Sequence, residues 1–339
     1  MPTILKIARA ALLLAQFLIL TGWAWLFFES REVPKAGLRS ESRTVIFEVE
    51  KHKGVRAIAE ELKDKRLIRK KWPLILLYKF FYSPQSIKAG EYQLPSAGTS
   101  REILETLIRG KIFLHPVTVA EGLTAREVVD VFLAAGFGQK EEFIVAFSDP
   151  TEILLWDPKA QNLEGYLYPE TYLLPKGISA REIFQKMTAQ FKVVFGEPWR
   201  RQAVDMGLTI REIVTLASLI EKETSRPEEK KLVAAVFHNR LRLGMKLDCD
   251  PTIIYTLKQN GAFEGRLRTK DLKFDSSYNT YLYPGLPPGP ISNPGRKSLE
   301  AALYPSGEDY LYFVSKNDGS HHFSRTFREH QLAVKKYQR

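Results

Sequence analysis

From Ala10 to Phe28 the chain reads AALLLAQFLILTGWAWLFF, without one charged side chain. At about 1.5 Å per residue, a helix over this run matches the ~30 Å hydrocarbon core of a bilayer. A lone segment in hydrocarbon can satisfy its backbone only as a helix, so the run predicts a membrane span. A cleaved signal peptide is the competing reading. The run is long for the apolar part of such a peptide, and TGWAWLFFES offers no small-x-small cleavage site, which favours an anchor that stays. Lys6 and Arg9 precede the run, and Trp23, Trp25, Phe27 and Phe28 gather at its far end. Basic residues on the near side and an aromatic belt on the far side predict a cytoplasmic N-terminus, with the rest of the chain outside the cytoplasm.

What lies outside is basic. Fifty Lys and Arg stand against 39 Asp and Glu in 339 residues, a net charge of +11, of which Lys6 and Arg9 supply two. Such an excess favours an anionic partner such as nucleic acid, acidic lipid or a wall polymer, although many basic proteins bind none of these. Nucleic acid is set aside, because no helix-turn-helix, zinc or RNP-type signature is present and an exported domain rarely meets it. With 44% hydrophobic residues the chain can build roughly two packed domains. Cys249 is the single cysteine, so no internal disulfide can form, and it reads as a packing residue rather than a nucleophile.

After the stub and anchor of 1–30, SREVPKAGLRSESR is polar and aperiodic, a linker over 31–43. TVIFEVE then alternates as a strand from Thr44, and GVRAIAEELKDKRLI sets Val55, Ile58, Ala59 and Leu62 at helical spacing. KWPLILLYKFF reads as a second apolar helix and IKAGEYQLP as a second strand, making a small strand, helix, helix, strand module over 44–95. In the connecting region 96–155, TSREILETLIRGK and TAREVVDVFLAAGF are helices that open on Thr and close on Gly. Nothing in this half has the spacing of a metal site or a nucleophile dyad.

Residues 156–339 carry the chemistry. NLEGYLYPETYLLP, from Asn162 to Pro175, interleaves tyrosines with Glu164 and Glu170. Such a mixture can line a sugar cleft, since ring faces stack on pyranoses. Composition alone favours the plainer reading of a half-buried strand pair packing its tyrosines. Further on, Thr209 and Glu212 form a capping box ahead of Ile213, Val214, Leu216, Ala217, Leu219 and Ile220, which predicts a largely buried helix. At about 100° per residue, Lys222 falls opposite the apolar arc while Glu221 and Glu223 flank it. A carboxyl at the border of buried surface loses water, which raises its pKa toward the range of a general acid for glycosidic cleavage. The spacing does not choose between the two, and paired helix-end glutamates are a common structural alternative. Pro227 suits the first turn of a new helix that Gly244 stops, and the loops beyond are dense in Asn, Asp, Thr, Tyr, Gly and Pro.

Four stretches, ASLIEKET, VFHNRLRLGMKLDCDPTIIY, YNTYLYPGLPPGPISNPG and LYFVSKNDGSHHFSRTFREH, resemble the YceG-like endolytic murein transglycosylases, as do the anchor and EGYLYPETY. The resemblance covers nearly all of the exported chain and is strongest from about residue 160 onward. It implies an α+β protein with one N-terminal transmembrane helix, a LysM-like peptidoglycan-binding module over 44–95, and a mixed α+β catalytic domain over 156–339. It assigns the essential acid/base, the second glutamate of E-K-E-T, to Glu223. The family's usual Thr before D-P-T is Cys249 in this chain. The implied reaction is non-hydrolytic: Glu223 protonates the bond between N-acetylmuramic acid and N-acetylglucosamine, then deprotonates the muramic C6 hydroxyl, closing a 1,6-anhydro ring. One carboxyl suffices because the substrate supplies its own nucleophile.

Expected along the cleft are Glu221, Asn239, Arg240, Asp250, Thr252, Tyr255, Asn279 and Tyr281, each of which could instead cap a loop or satisfy a buried neighbour. His321 and His330 also fall at family positions and are expected in a hydrogen-bond network, with no metal and no cofactor. The implied partners are glycan strands, the inner membrane of a bacterium and penicillin-binding-type peptidoglycan synthases, with cutting of nascent strands at the membrane. The competing readings are an anchored scaffold that binds wall without cutting it, and a hydrolytic muramidase.

Overall fold

The computed structural model describes residues 2–31, 44–96 and 98–338; the expected linker, apart from Arg31, lies outside the described residues. The protein is mixed α+β and divides into two compact units, residues 1–115 with 173–177, and residues 116–172 with 178–339.

In the first unit, α1 (Pro2–Glu29) contains the segment Ala11–Glu29, which is long and apolar enough to cross a membrane. Most of its apolar side chains are left outward, with Leu13, Phe17 and Leu20 all exposed, unlike a core helix. Strand β1 (Thr44–Val49) and helices α2 (Val55–Asp64) and α3 (Lys71–Leu77) lead to β2 (Gly90–Pro95), which pairs antiparallel with β1 from Thr44↔Pro95 to Val49↔Gly90. The expected strand, helix, helix, strand order is therefore present. Phe47 and Val49 point inward from β1 onto Ile58, Leu62, Leu74 and Tyr92. The second helix is shorter than its apolar run: after Leu77 the chain continues as one π-helical turn, Tyr78–Tyr82. Pro84 ends it, since a proline disfavours the α conformation in the residue before it. Helix α4 (Ser100–Ile108) completes the unit and begins with the Thr99/Glu102 capping box.

Strands β3 (Leu114–Thr118) and β4 (Thr171–Pro175) pair, and each is divided between the units. In the second unit, α5 (Ala125–Ala134), α6 (Lys140–Phe147), α7 (Ala180–Val194) and α8 (Glu197–Asp205) pack around aromatic contacts such as Phe143 on Phe132 and Phe184. The tyrosine-rich segment is a strand only at β4. Before it the chain runs in turns, and Tyr166, Tyr168 and Tyr172 are all buried, so their rings go to packing.

The centre of this unit is α9 (Ile210–Glu223), whose residues Ile213 to Ile220 are all buried. The Thr209/Glu212 box starts it: Thr209 Oγ1 accepts from the Glu212 N–H at 3.2 Å, and the Glu212 carboxylate accepts from the Thr209 N–H at 2.8 Å. It packs against α8, α10 (Pro227–Arg242), α11 (Asp250–Gln259) and α12 (Arg296–Leu303). A polar seam fixes the PGPISNPG loop on it, because Ser218 Oγ accepts from the Ile291 N–H at 3.1 Å and Asn293, fully buried, bridges Leu123 and Leu167. The hairpin of β5 (Tyr312–Ser315) and β6 (His321–Ser324) and helix α13 (Phe327–Tyr337) close the chain.

Candidate active site

The two glutamates at the end of α9 part company. Glu221 turns inward, where Lys230 of α10 donates to it at 2.8 Å, and the Ser298 hydroxyl and the Gly295 N–H donate at 2.6 and 3.0 Å. Both charged side chains are almost wholly buried, at 7% and 4% exposure, so Glu221 is held as one half of an internal ion pair. A Cβ at Gly295 would overlap the Glu121 carboxyl, so a larger residue there would have to push that side chain aside.

Glu223 turns the other way, into a cleft of about 430 Å³ also lined by Arg240, Asp250, Tyr281, Tyr312, His321 and His330. Burial pushes its carboxyl up to about 7, and Asp250 adds to the rise; the Cys249 thiol, which donates to Oε1 at 3.0 Å, and the charges of His321 and Arg240 act against it. A carboxyl poised there can give and take a proton near neutrality. The Cys249 thiol is pushed up by burial and by Glu223, so it stays protonated and works as a donor.

Arg240 reaches the cleft from α10 with its hydrogen bonds already committed. Its Nε donates to Leu311 O at 2.7 Å, and Nη1 donates to Lys246 O, Leu247 O and the Asp248 carboxylate at 3.0–3.1 Å. It thus clamps two cleft walls together and leaves its positive charge over the Tyr312 ring, 5.2 Å from the centroid. Asp250 opens α11 and accepts from Tyr281 Oη at 2.5 Å. His321 Nδ1 meets Glu229 Oε2 at 2.7 Å, and its backbone N–H donates to the same carboxylate at 2.9 Å. Burial works to raise Glu229, but these hydrogen bonds outweigh it and hold the carboxyl below its ordinary range. His330 stacks on Tyr312, and its pKa is lowered by burial and then by Arg240, so the ring is neutral near pH 7. Its Nδ1 is buried without a hydrogen-bond partner.

Of the sequence-predicted residues, Glu223, Arg240, Asp250 and Tyr281 come together on this cleft, with His321 and His330 beside them. The others make their contacts elsewhere. Asn239 Nδ2 donates to Glu308 O and Tyr310 O; Asn279 Nδ2 donates to Leu272 O and Phe274 O; Thr252 bonds Cys249 O; and Tyr255 donates to Glu164. Glu164 is itself buried, accepts from the Ala125 N–H at 2.9 Å, and is raised by burial to about 8, a neutral brace rather than a cleft charge. Sequence reasoning did not place Glu229 behind His321, nor Cys249 against Glu223. The partners lie 92 and 26 residues apart, and no periodic signal spans such gaps.

A family model described as YceG-like family matches residues 47–336. A Bacillus subtilis (strain 168) protein named endolytic murein transglycosylase is 31% identical over 336 residues, taking in 94% of this chain and 91% of that one. A protein of the same name from Streptococcus pneumoniae serotype 2 is 28% identical over 292 residues, or 76% of this chain and 53% of that one. The crystal structure of a yceG-like protein from Listeria monocytogenes superimposes with a TM-score of 0.59 at 32% identity, covering 86% of this chain and 99% of that one.

Proposed function

The chain belongs to the YceG-like family, and on that premise we propose that it cuts the glycan strands of peptidoglycan as an endolytic lytic transglycosylase, with Glu223 as its one acid/base. The observation that carries this reading is the Glu223 carboxyl, held on a cleft wall with a pKa of about 7. Protonated, it gives its proton to the oxygen between N-acetylmuramic acid and N-acetylglucosamine, and the glycosidic C–O bond breaks as positive charge develops on the muramic ring. The resulting carboxylate takes the proton of the muramic C6 hydroxyl. That oxygen closes on the anomeric carbon, leaving a 1,6-anhydro end and returning the proton to Glu223. Water is not consumed. The Asp250–Tyr281 pair and the clamped Arg240 line the path of the strand, and the His330 ring, stacked on Tyr312, forms part of the same wall.

Around this centre, α1 anchors the chain with the N-terminus in the cytoplasm and the chain from residue 44 onward on the outer side of the bacterial inner membrane. The module of 44–95 acts as a LysM-like glycan binder. The substrate is the nascent strand, reached beside penicillin-binding-type synthases. Mass spectrometry of strands incubated with the protein tests the reaction: new ends one water lighter than reducing ends are expected, whereas reducing ends would make it a muramidase.

Two smaller effects follow. The Cys249 thiol stabilises the ionised form of Glu223, so its loss raises the carboxyl further. Since the acid form starts the reaction, activity falls as pH rises through about 7. In Cys249→Ala that fall is expected about 0.5–1 pH unit higher, the worth of one hydrogen bond, and Cys249→Ser should restore it. His330→Ala is expected to lower kcat/KM by up to about tenfold, because the stacking that holds the Tyr312 ring in the cleft wall is worth about 0.5–1.5 kcal/mol, a loss read by steady-state kinetics.

A further inference from the structure

Outside the cleft, the exposed aromatic face at the end of α1 is the feature that the reaction leaves unexplained. Trp72, Phe80 and Phe81, on α3 and the π-helical turn, are 54%, 57% and 58% exposed, and none of them serves the core of their unit. Their position relative to the anchor is fixed by contacts within the first unit. The Trp23 ring lies 5.4 Å from both Phe80 and Phe81. Leu26 is buried in the module's own core. Lys70 pairs with Glu29, and the Arg101 N–H donates to Ser30 O.

Trp23 stands six residues before Glu29, the end of the apolar segment, which is about 9 Å of helix. If Ala11–Glu29 spans the bilayer, the two phenylalanines that touch Trp23 cannot stand clear of it. They sit at the depth where amphipathic elements bury their apolar faces, about 5–10 Å into the boundary between headgroups and acyl chains. Between anchor and module runs an apolar cleft of about 540 Å³, lined by Trp23, Leu26, Phe27, Phe81, Tyr82 and Arg101. Lys71 lies over the Trp72 ring, 5.7 Å from its centroid, and Lys70, the exposed Lys79 and Arg31 neighbour the same elements in sequence. The acidic groups that face them are Glu29 on Lys70 and Glu60 on Lys71, while Arg31 lies over the Phe27 ring, 4.0 Å from its centroid.

We infer that α3 and the π-helical turn form a membrane-docking surface, which sinks Trp72, Phe80 and Phe81 into the outer leaflet beside the anchor and seats a phospholipid acyl chain in the apolar cleft. The proposal rests on the anchor reading of α1. Its occupant is the bilayer rather than a protein, because the face is continuous with the apolar surface of α1 and its basic rim suits phosphate headgroups. The bulk of unit 1 is thereby held flat against the membrane instead of swinging on a single helix.

The test uses the full chain in nanodiscs of phosphatidylcholine and phosphatidylglycerol, with a nitroxide attached in turn at Leu18→Cys, Trp72→Cys, Phe81→Cys and, as a water-facing reference, Lys51→Cys. The native Cys249 is buried and stays unlabelled. The ratio of collision with oxygen to collision with a water-soluble nickel chelate reads the depth. Positions 72 and 81 are expected to exceed position 51 severalfold. A second variant, Phe80→Glu with Phe81→Glu, should return position 72 to the ratio of position 51 while position 18 is unmoved. If positions 72 and 81 match position 51 while position 18 reads hydrocarbon, the docking surface is wrong and the anchor stands. If position 18 is also open to nickel, the anchor reading falls and the docking falls with it.

Discussion

Glu223→Gln is expected to reduce strand cleavage by roughly 10²–10⁴-fold, the range that one general acid/base supplies, while the fold and binding to peptidoglycan persist. The amide keeps the shape of the side chain and can still accept from the Cys249 thiol, but it has no proton to give at neutral pH. Anhydro ends appearing equally with wild type and variant would remove Glu223 from the reaction. A separate signature belongs to the proton itself. The folded state holds the Glu223 proton up to about 7, against an ordinary value of 4.5, so between those values it binds more protons than the unfolded chain. Stability therefore falls as pH rises through that window. The Gln variant should lose this contribution, and its Tm between pH 5 and 7 should be flatter than that of wild type, a comparison read by calorimetry.

Lys230→Met is expected to cost about 3–5 kcal/mol, because it strands the Glu221 carboxylate in a buried site without its cation. For a unit of this size that is a drop in Tm of about 6–20 °C, readable by scanning calorimetry or circular dichroism. The double variant Glu221→Gln with Lys230→Met should recover most of the loss, since glutamine still offers an acceptor to Ser298 and Gly295. If the single variant melts with wild type, the pair is not the internal tie described above. The contrast with Glu223 is the point of the experiment. Two carboxylates, two residues apart, are expected to fail in opposite ways: one loses activity on a sound fold, the other loses the fold.

That division marks the limit of what the sequence discloses. The capping boxes at Thr99, Thr124 and Thr209 are local, and each helix begins where its box places it. Gly244, with φ of +66°, follows the end of α10 as a left-handed stop. Periodicity also put Glu221 and Glu223 on either side of the buried face of α9. It had no means of telling which side faced Lys230 and which faced the cleft, since that depends on partners brought in by α10, α11 and α12. The loop asparagines show the same limit. Asn239 and Asn279 look alike as cleft candidates, and in the fold both spend their amides on backbone carbonyls. Only packing distinguishes a side chain that greets a substrate from one that pins a loop.

The attachment of the C-terminal hairpin to α10 has a consequence for how this chain can drift in sequence. Asn239 and Arg240 hold the approach to β5 through the carbonyl oxygens of residues 308, 310 and 311, groups that every amino acid supplies. As far as this attachment goes, those three positions can exchange side chains freely while the wall they form stays in place. The two residues on α10 have no such latitude, because the reach of an amide and the fork of a guanidinium are not reproduced by their nearest substitutes. Variation along the rim of the cleft is thus compatible with an unchanged catalytic floor, and relatives that differ at the hairpin can keep the same placement of its strands over Glu223.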